Sequence, residues 1–484
     1  METKTVPFRH IFGYALGDGA FSLTMNTIWG FAMFFYTQSL GISSELTGWI
    51  LAVPMVWDAV TDPVMGYISD NTRSRFGRRH PHVLIGGALM GLFYFFLWYV
   101  PDMFQSSQSM MVFYLITVGL ISRTLMTWYC VPYVALGFEI CTDYNERNKL
   151  QSARFITNMV FNLVFCGIIV WRVFLVDAEG NRDTTIQANY ARMGFWFGLS
   201  ILVLVLICVF STRKYATDTR SDSARLGHGL QGFYKDMADI FKDKNSTFVF
   251  LFFCVINCSF VFVSSFQMYV YVSFVDLSPF EASVVHSSGM IAFALGSLLS
   301  VALANTFDKK PAIYIGAAVN IGANVCLGLF FLTGLLTPHM IPFWKTSVAS
   351  VVFWIFQASY WLGSGIMVPI GYSMVADVSS INHLKTGQIK DGSYSAVLSF
   401  LTKITGSVAL IAVGKILTST GFVEGKDFQT PDVAFRLTQM MVFLGILFTV
   451  LSILFLFKYP VNRQFMESIK ARLGTKSADK AVGQ

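Results

Sequence analysis

The sequence predicts an all-α polytopic membrane protein with twelve transmembrane helices arranged as two six-helix halves. Hydrophobic residues make up 54% of the 484 positions and charged residues only 13%, against roughly a quarter in an average soluble protein. Apolar runs of about twenty or more residues recur along the chain, and each is long enough to cross a bilayer as a helix. Most of these runs are apolar on every face, whereas a soluble helical protein would show amphipathic stripes.

The predicted spans follow from the lengths of these runs and from the polar segments between them. They are 11–38, 46–69, 82–100, 109–139, 151–175, 192–212, 246–274, 281–305, 311–334, 344–378, 392–419 and 434–458.

The longest polar connection falls in the middle of the chain and divides the spans six and six. We expect an N-terminal half at 1–212, a cytoplasmic middle loop at 213–245, a C-terminal half at 246–458 and a cytoplasmic tail at 459–484. The loop segment "GFYKDMADIFKDK" places apolar residues at helical spacing, which predicts a helix lying in the membrane interface.

The basic residues set the predicted orientation. About 25 of the 35 Lys and Arg residues fall on the side that holds both termini, and the positive-inside rule makes that side cytoplasmic. We expect a multi-pass protein of a bacterial inner membrane, with both termini in the cytoplasm.

Several function classes are not indicated. No basic face is interleaved with aromatic residues, so nucleic acid is not an expected partner. The seven cysteines lie mostly in or beside apolar runs, which is typical of small buried side chains rather than disulfides or metal ligands. The chain also lacks a nucleophile elbow, a phosphate-binding glycine loop and a histidine–carboxylate metal cluster, so we expect no enzyme activity.

Two aspartates lie inside the apolar run of the second predicted helix. Asp58 and Asp62 are four residues apart, so both project from one face of that helix. Two carboxylates this close repel each other when both are ionised, and a bound cation or a retained proton relieves the repulsion. The sequence therefore predicts a Na⁺ or H⁺ site at Asp58 and Asp62, with the hydroxyl of Thr127 as a further oxygen ligand. The alternative is that Arg123 and Arg154 pair with the two aspartates as structural ion pairs.

Other charged residues also lie within predicted helices. Asp18 is in the first, Arg123 in the fourth, Arg154 near the start of the fifth and Lys403 midway along the eleventh. Charged side chains are costly in a membrane span, so those present are usually paired or functional. The hydroxyl-rich run "SFLTKITGS" around Lys403 predicts a polar stripe, from which the lysine reaches toward the carboxylates of the second helix.

The cytoplasmic end of the second helix carries a burst of charge. In "GYISDNTRSRFGRR" an aspartate is followed by four arginines, and "NTFDKKP" after the eighth helix is a weak echo of it. Two six-helix halves joined by a long loop are typical of major facilitator transporters, whose halves are parallel repeats. We expect an inner gate formed by Asp70, Arg75, Arg78, Arg79 and Asp377.

The sequence resembles the glycoside–pentoside–hexuronide:cation symporters, the melibiose-carrier family within the major facilitator superfamily. The resemblance rests on "WDAVTDPVMGYISDNTRSRFGRRHP", on "YALGDGAFS" in the first helix, on "VPYVAL" followed by "DYNERNKLQSARF", and on "MVADVSS" and "LKTGQIKDGSYSA" leading to Lys403. These motifs occur in order over nearly the whole chain.

The resemblance implies a role for individual positions. Asp58 and Asp62 match the cation-coordinating aspartates of the family, and Thr127 matches a hydroxyl at that site. Lys403 matches the lysine linked to the cation site, and Arg154 matches an arginine near the sugar. Asp18 matches the acidic position of the helix-1 motif.

The sequence also departs from the melibiose-type pattern. Two further acidic residues that hold the galactoside in such members are Ser22 and Cys130 here, which argues against galactoside specificity. Arg123 stands where such members carry a small residue. A buried arginine near Lys403 and Arg154 favours an anionic substrate such as a uronic or sulfonated sugar.

The expected function is secondary active transport by alternating access, in which Na⁺ or H⁺ is carried together with a sugar or glycoside. The alternative is a cation-coupled carrier of a lysolipid or other amphiphile, because animal lysolipid–sodium carriers share the family pattern. We expect a monomer in the lipid bilayer, with no cofactor beyond the co-transported cation.

Overall fold

Twelve long helices make up most of the computed structural model, which describes residues 6–140, 144–169, 186–216, 237–277, 279–336, 342–343, 346–386, 391–426, 429–466 and 468–469. The helices are α1 (Phe8–Thr27), α2 (Ser44–Asp70), α3 (His80–Phe93), α4 (Gln108–Ile140), α5 (Tyr144–Phe161), α6 (Gln187–Thr212), α7 (Lys244–Tyr269), α8 (Pro279–Phe307), α9 (Lys309–Leu327), α10 (Val348–Thr386), α11 (Asp391–Ser419) and α12 (Pro431–Phe457).

Shorter elements extend or connect these helices. The π-helical turns are Ile28–Ala32 and Phe35–Ser39 after α1, Asn162–Ile169 after α5, Val270–Phe274 after α7 and Gly328–Leu332 after α9; the 3-10 turns are Tyr94–Leu97 and Arg213–Tyr215. A one-turn helix spans Asp102–Gln105, and two antiparallel two-residue strands, β1 (Pro342–Phe343) and β2 (Thr346–Ser347), precede α10.

The predicted all-α, twelve-helix membrane fold is confirmed. Within the described residues, nine helical segments, those from α3, α4 and α6 to α12, are long and apolar enough to cross a membrane. The other three long helices are α1, α2 and α5, which carry Asp18, the pair Asp58 and Asp62, and Arg154, respectively. These three helices therefore each carry a charged candidate site residue, as do α4 with Arg123 and α11 with Lys403.

Two helices extend furthest beyond their predicted ends. α5 begins at Tyr144 rather than at residue 151, and α10 continues to Thr386 rather than ending at 378. Both extensions are polar, and hydropathy detects the part of a helix that lies in lipid rather than the point where its hydrogen bonds end. In the middle loop, residues 237–242 are helical. Ile240 of this segment is buried in the core of the second unit defined next; Phe233 lies outside the described residues.

The chain forms two compact units. The first comprises Met1–Gly229, Ser264–Ser287 and Ser407–Leu437, and so contains α1 to α6. The second comprises Leu230–Val263, Ser288–Gly406 and Thr438–Gln484. The division into halves at residues 212 and 246 stays a prediction.

Two glycines allow a close helix crossing in the first unit. A Cβ atom built on Gly91 of α3 would lie 2.9 Å from the carbonyl oxygen of Gly198 in α6, and one built on Gly198 would lie 2.5 Å from the carbonyl oxygen of Gly91. Small residues let helix backbones approach closely where lipid gives no hydrophobic driving force. This crossing therefore depends on both glycines.

A buried polar network joins α7, α9, α10 and α12 in the second unit. Asn320 Nδ2 donates to Ser364 Oγ at 2.9 Å and to the Tyr360 carbonyl at 3.2 Å, while its Oδ1 accepts from Thr449 Oγ1 at 3.1 Å. The Ser259 hydroxyl lies 3.2 Å from that of Thr449. These interhelical hydrogen bonds satisfy polar groups that lipid cannot.

Replacing Gly198 by alanine tests the α3–α6 crossing. The added methyl group must push a backbone carbonyl away, so Gly198→Ala is expected to cost about 1–3 kcal/mol of stability and to lower the thermal unfolding midpoint of the purified protein. The matched control is Gly322→Ala in α9, because a Cβ atom there meets nothing within 4 Å. If the two variants have equal unfolding midpoints, the packing of α3 against α6 does not depend on a glycine at position 198.

Candidate functional site

A close contact between α2 and α4 positions the paired aspartates. A Cβ atom on Gly119 of α4 would lie only 2.7 Å from Pro54 Cγ of α2, so the two helices nearly touch at this level. Asp58 follows Pro54 by one helical turn and Asp62 by two, on the same face. The contact therefore holds both carboxylates against α4.

One hydroxyl on α4 meets both carboxylates. Thr127 Oγ1 lies 2.5 Å from Asp58 Oδ1 and 2.9 Å from Asp62 Oδ1, and Thr61 Oγ1 lies 3.4 Å from the same hydroxyl. Asp58 and Thr127 are buried, and Asp62 is half-buried. The structure thus brings together the three residues that the sequence predicts as cation ligands.

This arrangement suits a small cation. A hydroxyl has one proton, so Thr127 can donate to only one carboxylate at a time. A monovalent cation among the same oxygens would attract both carboxylates and relieve their mutual repulsion. Two carboxylates and a hydroxyl are the oxygen ligands that hard cations prefer, so the residues present fit Na⁺.

Arg123 of α4 contacts the same carboxylate pair. Its Nη1 lies 3.6 Å from Asp58 Oδ2 and donates to Met25 Sδ at 3.2 Å, and the residue is only 7% exposed. Arg123 precedes Thr127 by one turn of α4, which explains why both reach α2. A permanent positive charge therefore lies beside the candidate cation site.

Arg154 of α5 pairs with a different aspartate. Its Nη2 lies 3.2 Å from Asp18 Oδ1 of α1, and its Nη1 donates to Gln151 Oε1 at 3.0 Å. The guanidinium carbon stands 5.1 Å from the ring centre of Tyr133 and 6.0 Å from that of Tyr14. The first unit therefore contains two separate buried ion pairs, and Arg154 belongs to the one on α1.

Three tyrosines line the α1–α4 contact beside this second pair. Tyr14 donates to the Tyr133 carbonyl at 2.8 Å and Tyr133 donates to the Tyr14 carbonyl at 3.0 Å, while Tyr129 donates to the Gly17 carbonyl at 2.8 Å. The rings of Tyr14, Tyr133 and Tyr129 stack in that order, with centres 4.6 and 5.4 Å apart. Sequence reasoning missed Tyr14; the i, i+4 spacing of the other two tyrosines was the available signal.

The two positions where the chain departs from the melibiose-type pattern also lie in the first unit. Ser22 Oγ donates to the Asn158 carbonyl at 3.0 Å and accepts from Asn26 Nδ2 at 2.8 Å. Cys130 is half-buried and forms no disulfide among the described residues. Ser22 therefore ties α1 to α5 through neutral hydrogen bonds where a carboxylate would add charge.

Lys403 lies in the second unit, half-buried on α11. Asn257 of α7 donates to the carbonyl of Thr402 at 2.9 Å and to Thr405 Oγ1 at 3.4 Å, which fixes α7 against α11 at this level.

A cavity of about 330 Å³ lies between α10 and α11 of the second unit. Most of its lining side chains carry hydroxyl groups and none is charged; the hydroxyl-bearing ones are Tyr372, Ser379, Ser380, Tyr394, Ser395, Ser399 and Thr402. Such a surface offers hydrogen-bond donors and acceptors to a neutral polyhydroxylated ligand.

The predicted gate arginines join the ends of α2, α3 and α4. Arg79 contacts the Asp70 carboxylate, donates to Ser69 Oγ at 2.6 Å and lies 3.1 Å from Glu139 Oε1. Arg78 Nε donates to the same Glu139 oxygen at 2.7 Å. Arg75 instead lies over the ring of its neighbour Phe76, 4.7 Å from the centre.

The second unit repeats this arrangement. Lys309, at the start of α9, contacts Asp377 of α10, as Arg79 before α3 contacts Glu139 of α4. Asp308 accepts from the Lys309 backbone N–H at 2.6 Å and from that of Arg463 at 2.9 Å. The weak sequence echo "NTFDKKP" therefore corresponds to a matching ion pair.

A further ion pair holds the segment before α7 to the end of α10. Lys385 Nζ lies 2.9 Å from Asp243 Oδ1. Burial acts to raise the pKa of Asp243, but hydrogen bonds from Lys385 and Ser246 outweigh it and leave the pKa below its usual range.

Curated relatives of this chain are named as symporters or carriers. The putative glycoside/cation symporter YagG of Escherichia coli is 27% identical over 424 residues, covering 87% of this chain and 85% of that protein. A glucuronide carrier protein homolog of the same species is 23% identical over 475 residues, covering 96% and 95%. The sodium-dependent lysophosphatidylcholine symporter 1-B of Danio rerio is 21% identical over 480 residues, covering 93% and 86%.

Solved structures with the same fold are also transporters. A crystal structure of a D-xylose-proton symporter superposes with a TM-score of 0.65 at 15% identity, covering 93% of this chain and 97% of that chain. The family model for MFS/sugar transport proteins matches residues 13–463. The resemblance to the melibiose-carrier family is thereby confirmed. The chain belongs to the MFS/sugar transport protein family and is a multi-pass membrane transporter, not an enzyme.

Proposed function

We propose that this protein couples the inward movement of Na⁺ or H⁺ to the uptake of a sugar or glycoside by alternating access. One observation carries the proposal: a single buried hydroxyl, that of Thr127, lies within hydrogen-bonding distance of both Asp58 and Asp62. Such a carboxylate pair inside a membrane span is costly without a positive charge. A cation that binds from one side of the membrane removes this energetic cost, and the cost returns when the cation is released on the other side.

In the proposed cycle the cation binds at Asp58, Asp62 and Thr127. Because both aspartates lie on α2 and Thr127 lies on α4, the bound cation holds these two helices together. Its release leaves two adjacent carboxylates that repel each other, which favours a change in how α2 packs. The bound cation therefore stabilises one packing of α2 against α4 more than another, and coupling requires such a difference between two conformations.

The substrate is proposed to bind beside the tyrosine cluster. Arg154 over the Tyr133 ring supplies a charge and an aromatic face, and Ser22 and Cys130 stand where the melibiose-type pattern has two further carboxylates. Among the relatives, one is named a glucuronide carrier, and the buried arginines favour an acidic sugar over a galactoside.

The gate residues are proposed to close the cytoplasmic side. Asp70, Arg78, Arg79 and Glu139 join three helix ends in the first unit, and Lys309 and Asp377 join α9 to α10 in the second. The excess of basic residues on this side supports cytoplasmic termini. We further propose a monomer located in a bacterial inner membrane, in keeping with the inner membrane symporter YicJ of Escherichia coli, which is 25% identical over 431 residues.

Carriage of a lysolipid is the second candidate, because relatives in fish and mouse are named lysophosphatidylcholine symporters. The described interior weighs against it. Buried charges, tyrosine hydroxyls and a hydroxyl-lined cavity suit a polar substrate, whereas an acyl chain needs an apolar cleft.

Uptake by membrane vesicles tests the coupling. An imposed Na⁺ or H⁺ gradient should drive accumulation of a radiolabelled sugar from a panel of neutral glycosides, uronates and lysophosphatidylcholine. Asp58→Asn and Asp62→Asn should each abolish accumulation against a gradient while downhill exchange persists. Asp102→Asn is the matched control, because Asp102 lies in the exposed one-turn helix. Uphill accumulation in both site variants would refute the coupling role.

Removing one hydroxyl tests the third ligand. Thr127→Val keeps the shape of the side chain but deletes the oxygen that meets both carboxylates. We expect the cation concentration for half-maximal uptake to rise by about tenfold, equivalent to about 1.4 kcal/mol.

Thr117→Val is the control for this variant, since the Thr117 hydroxyl bonds only the Phe113 carbonyl of its own helix at 2.8 Å. An unchanged cation requirement in Thr127→Val would remove Thr127 from the site.

A further inference from the structure

We propose that Arg123 is a built-in counter-ion of the cation site, which an acidic substrate draws away from Asp58 so that substrate and cation bind cooperatively. The inference rests on the proposed function and adds a residue and a mechanism to it. Arg123 is then neither a residue that only binds substrate nor a permanent structural partner of Asp58.

The guanidinium of Arg123 lies beside the candidate cation site. Arg123 Nη1 lies 3.6 Å from Asp58 Oδ2, on the carboxylate oxygen that Thr127 does not contact. Asp58 thus has the cation ligands on one oxygen and the arginine on the other. A cation placed beside Thr127 is close to a permanent positive charge, which disfavours its binding.

The contact of Arg123 with Met25 is weak. Its Nη1 donates to the thioether sulfur of Met25, which is a weak acceptor. A guanidinium has five donors, and a fixed structural arginine usually pairs bidentately with a carboxylate. Among the described residues, Arg123 is held by one ion pair longer than a hydrogen bond and by one soft contact, both of which are weaker than a bidentate pair with a substrate carboxylate.

Small cavities also border Arg123. The residue lines two small cavities in the first unit, of about 30 and 20 Å³. The smaller is bordered also by Trp29 and Met33 after α1, by Ser265 of α7 and by Leu410 of α11. Arg123 therefore contacts Asp58 and also borders a gap between helices that is the size of one or two water molecules. A substrate carboxylate that reaches the guanidinium as this gap widens would compete with Asp58 for it.

The consequence is reciprocal coupling. An anionic substrate that takes the guanidinium leaves Asp58 without its counter-ion, and cation affinity rises. A bound cation in turn frees the guanidinium for the substrate. The two effects are equal because linkage between two binding sites is symmetric. A neutral sugar cannot compete for the arginine and would show no such effect.

Direct binding of radiolabelled Na⁺ to the purified protein tests this without transport. Arg123→Gln and Arg123→Met remove the charge, and each should bind Na⁺ at least tenfold more tightly than the wild type, or gain Na⁺ binding if the wild type shows none. Arg123→Lys keeps the charge and should stay within about threefold of the wild type. Arg192→Met, at an exposed arginine of α6, is the control. Two neutral variants are used so that misfolding of one does not decide the result.

The same assay repeated with D-glucuronate and D-glucose tests cooperativity. D-glucuronate should tighten Na⁺ binding in the wild type and have no effect in Arg123→Gln, and D-glucose should have no effect in either protein. Unchanged or weaker Na⁺ binding in both neutral variants would overturn the proposal, as would a glucuronate effect that survives in Arg123→Gln. Failure of gradient-driven uptake in the wild type would instead refute the symport, so the two failures can be told apart.

Discussion

The structure depends on the compensation of negative charge inside a membrane. Asp58 and Asp62 lie one turn apart on a membrane-spanning helix, in surroundings where an isolated carboxylate is strongly disfavoured. One hydroxyl and one guanidinium, both from α4, contact this pair. The first unit is organised so that these groups meet.

That requirement explains features elsewhere in the first unit. The contact of Pro54 with Gly119 brings α2 close enough for its carboxylates to reach α4. A second aspartate, Asp18, pairs with Arg154, whose guanidinium also lies over the Tyr133 ring. The two ion pairs therefore lie on different helices, Asp18 with Arg154 on α1 and α5 and Asp58 with Arg123 on α2 and α4.

Much of this could be predicted from the sequence, for definite physical reasons. The spacing of Asp58 and Asp62 fixes their common face because a helix has a set period, and the charges after α2 fall where the span must end. The choice of partners could not be predicted. Whether Arg123 or Arg154 meets Asp58 depends on how α4 and α5 are rotated about their axes, which is set by contacts such as those of Gly17 and Gly119. The ion pair of Lys309 with Asp377, which repeats that of Arg79 with Glu139, could not be predicted either. The segment "NTFDKKP" keeps little of the arginine-rich motif.

The central claim is that cation and substrate stabilise one another's binding, and running the cycle on a substrate gradient tests it most directly. Proteoliposomes with wild-type protein are given an inward gradient of the transported sugar and no cation gradient, and the internal cation is followed with radiolabelled Na⁺ and a pH-sensitive dye. The account predicts that one of the two ions accumulates above its external concentration, and that Asp58→Asn carries the sugar without moving the ion. Sugar entry in the wild type with neither ion accumulating would contradict it.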